Sequence, residues 1–212
     1  MSGLTVYMPF SRLIDKTKKD NAIIRKFEDD LRVYANLRNA IVHNRTDVEY
    51  AIAEPHDDIV ELIEYIDREL AKPITVGEMF RSKVHTLKTT DLLSTGLELI
   101  RKQRFNKIPI YRNNEFIGLV TASGITYWLA DEYPEGVVSA EAPLLIDVYR
   151  HEKKKNTYRF VSQNLSVYEA EEYFKRAMSQ GKRIEALLIT QTGDRAEKLL
   201  GIVTPGDLLK ID

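Results

Sequence analysis

The chain has 212 residues, 43% hydrophobic and 30% charged, proportions that exclude a disordered or fibrous class. Lys and Arg number 31 against 32 Asp and Glu, so the net charge of −1 favours neither nucleic acid nor a membrane surface in bulk, and any anion site has to be local. The absence of Cys removes disulfides, thiolate metal sites and Cys nucleophiles together.

Met1 to Phe10 lacks a basic stretch followed by a long apolar one, and no run nears the roughly 18 apolar residues of a membrane span. A cytoplasmic protein without membrane contact is the expectation. From Lys19 to Arg45, apolar residues at Ile23, Ile24, Phe27, Leu31, Tyr34, Leu37 and Ile41 fall three and four apart and predict one amphipathic helix, capped by Asp20 or Asn21 and stopped near Asn44. A second helix is predicted from Pro55, a residue suited to a first helical position, to Ala71, with Pro73 ending it. Two such stripes cannot cover each other completely, so this hairpin must dock on the remaining chain or on a second copy. A homodimer is the expectation.

Beyond Pro73 the pattern repeats. Short apolar segments, Ile74 to Phe80 and Leu144 to Tyr149, lead to extended pieces, Val84–Leu87 and Tyr158–Val161. Helices follow at about Leu92–Gln103 and Ser166–Ser179. Two strands come next in each copy, Lys107–Tyr111 with Phe116–Val120, and Glu185–Thr190 with Leu199–Val203. Polar turns, Thr121 to Gly124 and Thr204 to Asp207, then open closing helices at Ile125–Asp131 and Leu208–Ile211. The unit is β-α-β-β-α twice, an α+β architecture in which two sheets too small to stand alone bury their faces against each other.

The segment Gly201-Ile-Val-Thr-Pro-Gly-Asp207-Leu-Leu closely resembles the signature G-Φ-Φ-T/S-x-x-D-Φ-Φ of CBS domains, and the repeat resembles a CBS domain pair, or Bateman module. The first copy, Gly118-Leu-Val-Thr-Ala-Ser-Gly124-Ile, follows the signature until Gly124 stands where the Asp belongs. The resemblance implies three regions: residues 1–72 helical, 73–133 a first CBS domain and 134–212 a second.

From chemistry alone, Thr204 and Asp207 suit either a helix cap or a site for vicinal hydroxyls beside a helix N-terminus that attracts an anion. The resemblance favours the second, because in CBS pairs this Thr and Asp typically hold the ribose and phosphate of an adenine nucleotide. It implies AMP, ADP or ATP as ligand, with no other cofactor and no metal. Matched segment by segment, the Asp207 cleft is expected to gather Lys83, His85, Phe105, Asn106, Arg183, Ile184 and Ile202. Phe105 and the two Ile would sandwich adenine, Asn106 would read its edge, and Lys83, His85 and Arg183 would meet phosphate. The other cleft, organised by Thr121 and Gly124, would lack its acid and stay empty or weak, with Arg104 and Lys107 as residual anion attractors. The run His151 to Lys155 reads as a solvated loop.

In the N-terminal part, Arg38 and His43 stand in the spacing R-x4-H with Asn39 after the Arg, which resembles the HEPN motif of helical RNases. That resemblance implies an alternative in which His43 acts as base and Arg38 stabilises phosphate on RNA, without metal. A further alternative is a scaffold without ligand. The primary reading is a non-enzymatic nucleotide sensor whose helical part dimerises or meets an effector protein.

Overall fold

The computed structural model describes residues 8–43, 54–132, 142–153 and 155–209. The chain divides into two compact units, Met1–Ile74 with Ser166–Glu172, and Thr75–Leu165 with Tyr173–Asp212. Among the described residues no helix is long and apolar enough to cross a membrane.

The first unit holds helices α1 (Phe10–Thr17), α2 (Ala22–Lys26), α3 (Glu28–His43) and α4 (Asp57–Ala71). Asn21 caps α2, its Oδ1 accepting the N–H groups of Ile23 and Ile24 at 2.9 and 3.1 Å. The single helix expected from Lys19 to Arg45 is kinked at Phe27, where φ is −103° and ψ 21°. Glu28, Asp29 and Asp30 then form an acidic first turn, which suits a new helix start. Helix α1 was not expected, because Arg12 and Asp15 interrupt its apolar residues. It needs only Ile14, which is buried with Leu31, Tyr34 and Ile66 in this unit's core. Asp15 pairs with Lys18 and Arg32 instead of breaking the helix. Helix α4 begins two residues later than expected, with His56 rather than a residue before Pro55 as its cap. The guanidinium of Arg25 grips both carboxylate oxygens of Glu172 and also donates to the Lys18 and Lys19 carbonyls. The expected stop at Asn44 lies outside the described residues.

In the second unit, α5 (Val76–Met79), β1 (Leu87–Lys88), α6 (Leu93–Gln103), β2 (Lys107–Arg112), β3 (Glu115–Thr121) and α7 (Ala122–Glu132) form the first repeat. The second runs through α8 (Leu145–Arg150), β4 (Tyr158–Ser162), α9 (Val167–Ser179, of which the residues up to Glu172 group with the first unit), β5 (Ala186–Thr190), β6 (Gly201–Val203) and α10 (Pro205–Leu208). Each sheet has one parallel and one antiparallel pair, in the orders β1-β2-β3 and β4-β5-β6. Asn113 and Asn114 both take positive φ, 49° and 66°, the twist a two-residue hairpin requires. The first strand is shorter and later than Val84–Leu87, and the closing helix is α10, starting at Pro205 rather than Leu208.

The two sheets meet face to face over Phe116, Leu119, Ala186, Leu188 and Leu199. Phe116 stands edge-on to Tyr111, Tyr158 and Phe160 with ring centroids 5.4, 5.0 and 5.1 Å away. Each leading helix crosses to the other repeat. Leu145 and Val148 of α8 are buried in the first repeat's core with Ile108, Ile110 and Trp128. The Val76 and Gly77 N–H groups of α5 donate to the Leu165 and Gln163 carbonyls at 2.8 and 2.9 Å.

Candidate functional site

The sheet registers define which residues correspond. Ile108 faces Val120 as Leu187 faces Val203, so Thr121 corresponds to Thr204, Gly124 to Asp207, and Arg104–Phe105 to Arg183–Ile184.

A cavity of about 400 Å³ is built from three segments: Met79 to His85, Arg104 to Lys107, and Ile202, Thr204 and Asp207. The first is fixed against β6, because Arg81 bridges Gly201 and the Ser82 N–H donates to the Leu200 carbonyl at 3.0 Å. Only glycine permits this approach, since a Cβ on Gly201 would stand 2.4 Å from the Phe80 carbonyl oxygen. The second segment turns into the cavity because α6 ends on Arg104 in the left-handed region, φ 60° and ψ 20°. Phe105 and His85 lie 6.0 Å apart with ring planes tilted by 42°.

The third segment carries the acid. The N–H and hydroxyl of Thr204 donate to Asp207 Oδ2 at 2.8 and 2.7 Å. Both bonds end on one oxygen, so Oδ1 takes no part in this box. Helix α10, Pro205–Leu208, is too short for a strong terminal dipole. Attraction for an anion comes from side chains instead. Arg81, Lys83, Arg104 and Lys107 line the cavity with one carboxylate, Asp207, and no ion pair engages any of those four among the described residues. Such a lining suits a molecule with a flat apolar ring, vicinal hydroxyls and a negative group.

Lys83, His85, Phe105, Asn106, Ile202, Thr204 and Asp207 thus line one cavity, while Arg183 and Ile184 do not belong to it. They line a second cleft of about 580 Å³, with Thr121 and Lys182, and a third beside β4. The reason is the exchange between repeats: the turn before β2 serves Thr204, so its counterpart before β5 serves Thr121. Arg104, expected near Thr121, lines the Asp207 cavity, and Lys107 lines both clefts. Arg81 and Phe80 were missed, because only the non-local bridge to Gly201 brings them in.

At Gly124 the missing acid is supplied from elsewhere. Thr121 donates its N–H to Glu152 Oε1 at 2.7 Å and its hydroxyl to Oε2 at 3.2 Å, and accepts the Gly124 N–H at 3.0 Å. A Cβ on residue 124 would stand 2.1 Å from Glu152 Oε1, so glycine is what admits the carboxylate. Glu152 is 9% exposed, which corrects the reading of His151 to Lys155 as uniformly solvated. Burial pushes its carboxyl above the usual range, against the lowering effect of the Thr121 bonds.

Arg38 is exposed on α3 and its Nη1 donates to Asn39 Oδ1 at 3.4 Å. The His43 side chain lies outside the described residues. No group of three or more His, Asp or Glu that would hold a metal ion occurs among the described residues.

The family description "CBS domain" matches residues 76–131 and 156–212. No curated protein sequence matches significantly. Among solved structures, the chain is similar to a Vibrio cholerae protein (AcuB) ascribed to acetoin utilization, at 21% identity and a TM-score of 0.48, over 66% of this chain and 90% of that one. It is similar to CBSX2 in complex with AMP at 17% identity and a TM-score of 0.45, over 65% and 95%. The CBS domain pair of protein MJ0100, in complex with 5-methylthioadenosine and S-adenosyl-L-methionine, is similar at 14% identity and a TM-score of 0.48, over 66% and 95%.

Proposed function

The chain belongs to the CBS domain family, and on that premise we propose that it is a regulatory module whose Asp207 cavity binds an adenine nucleotide, AMP, ADP or ATP, or a related adenosyl ligand. The observation that carries this is the Thr204–Asp207 box, with Oδ1 outside the box, in a cavity lined by four cations and one acid. A ribose diol meets the carboxylate, a phosphate meets the cations, and adenine lies between Phe105 and Ile202 with Asn106 at its edge. A volume of about 400 Å³ is within the range of small-ligand sites.

The module acts by binding rather than by chemistry, and the helical N-terminal unit is its dimerisation or effector element. Phe10, Leu13, Val33 and Ile63 of that unit are exposed and apolar. Sedimentation at micromolar concentration is expected to give a dimer, and a monomer with and without nucleotide rejects that part. For the site, calorimetry with AMP, ADP, ATP and S-adenosylmethionine is expected to find a ligand, and Asp207→Ala to weaken it by about 1.5–3 kcal/mol, the range for a charged hydrogen bond. Unchanged affinity in that variant rejects the assignment.

A further inference from the structure

Helix α4 is apolar on two sides. Ile59, Leu62 and Ile66 turn inward to the core of the helical unit. Val60, Ile63 and Leu70 stay 37%, 40% and 37% exposed. At about 100° per residue these three fall within an arc of about 80°, so they form one outward stripe rather than scattered apolar positions. Acid surrounds the stripe. Asp67 falls inside the same arc, Asp57 and Glu64 lie along one edge, and Glu61 lies beyond them, all exposed. Arg68 is the one cation of the helix, and Glu64 approaches it at 3.8 Å. Among the described residues no ion pair engages Asp57, Glu61 or Asp67.

Stripe and acids together decide what covers this face. A second copy does not suit it. In an antiparallel pairing of two α4 helices centred on the stripe, Val60 of one copy meets Asp67 of the other and Ile63 meets Glu64. In a parallel pairing each acid meets itself. Either way carboxylates are buried with only Arg68 to answer them, and an unpaired buried charge is costly. We propose that α4 docks a basic amphipathic helix of a different protein. The apolar side chains of that helix lie on Val60, Ile63 and Leu70, and its Lys or Arg side chains meet Asp57, Glu64 and Asp67. The stripe is about 15 Å long, close to three turns, which is enough to engage apolar anchors on successive turns of the partner. This rests on the reading of the helical unit as an effector element. It names the chemistry of the effector and leaves the dimer to other surfaces.

The test is fluorescence anisotropy on the full chain with labelled peptides of roughly five helical turns. One peptide places Leu three and four apart among Lys, a second keeps those Leu among Glu, and a third scrambles the first. The first is expected to bind at least about tenfold more tightly than either of the others, the scale of a buried leucine, and to weaken with salt. The variant Glu64→Lys/Asp67→Lys should reverse the preference between the Lys and Glu peptides, and Ile63→Ser/Leu70→Ser should lose both. All four positions are exposed, so both variants are expected to fold, which circular dichroism checks. Equal binding of the ordered and scrambled peptides, or a preference that the charge variant leaves unchanged, overturns the proposal. So does an Ile63→Ser/Leu70→Ser variant that sediments as a monomer where the wild type is a dimer, because a second copy then covers α4, and the reading of a dimerising unit survives that result. Failure of the first peptide to bind also overturns the proposal. If the wild type is then a dimer the reading of the helical unit stands, and if it is a monomer that reading falls too.

Discussion

Thr204 and Thr121 occupy equivalent positions and make the same pair of hydrogen bonds, yet the two turns differ in purpose. Thr204 bonds Asp207, three residues on, in a half-buried turn that opens into a cavity. Thr121 bonds Glu152, delivered from beyond α8, and both residues are buried. A carboxylate reached by solvent is able to exchange partners with a ligand. One sealed against a buried N–H and hydroxyl is not, because breaking those bonds strands polar groups away from water. One hydrogen-bond pattern thus serves recognition in one repeat and stability in the other.

The largest expected effect comes from removing the core between the two sheets. Phe116 is 1% exposed, and Phe116→Ala is expected to cost about 3–5 kcal/mol in denaturant unfolding, with nucleotide binding lost alongside. The contrast itself is tested by removing each acid. Glu152→Ala should cost about 1–3 kcal/mol, because Thr121 keeps two buried donors without a partner. Asp207→Ala should cost about 1 kcal/mol or less, the scale of a lost helix cap, since water reaches Thr204. Equal losses in the two variants would show that the turns are equivalent after all.

Smaller effects sharpen the point. Gly124→Ala should destabilise the wild type by displacing Glu152. In a Glu152→Ala background the same change should stabilise by up to about 1 kcal/mol, the helix preference for Ala over Gly. A double-mutant cycle by thermal unfolding checks this reversal of sign. Finally, burial raises the Glu152 pKa above its unfolded value. Its contribution to stability is therefore complete below the unfolded pKa and is lost as pH rises through the folded one. The stability of wild type relative to Glu152→Gln should fall as pH rises between those two pKa values, and a difference that is flat with pH would contradict it.

Local signals carried much of this. The repeat was legible from strand and helix spacing, and the Thr204–Asp207 turn from its motif. The kink at Phe27 was not, because a periodic apolar stripe continues smoothly through it. Arg183 and Ile184 line a different cleft from the one expected, since matching segments reveals equivalence but not which repeat receives them. Glu152 sits in a run of basic residues whose composition resembles solvated loop, and only the space above Gly124 explains its burial. The chain contacts that mattered, Arg81 to Gly201 and Glu152 to Thr121, join segments far apart in sequence and leave no periodic trace.

The crossing of the leading helices has a consequence for synthesis on the ribosome. Ile108, Ile110 and Trp128 are covered by Leu145 and Val148, and α5 at the start of the first repeat pairs with the chain at Gln163 and Leu165. The first repeat to emerge therefore cannot close its core until part of the next has followed it. Ribosome-held chains that stop before Leu145 should be open to protease and chaperone, and protection should arrive in one late step rather than repeat by repeat.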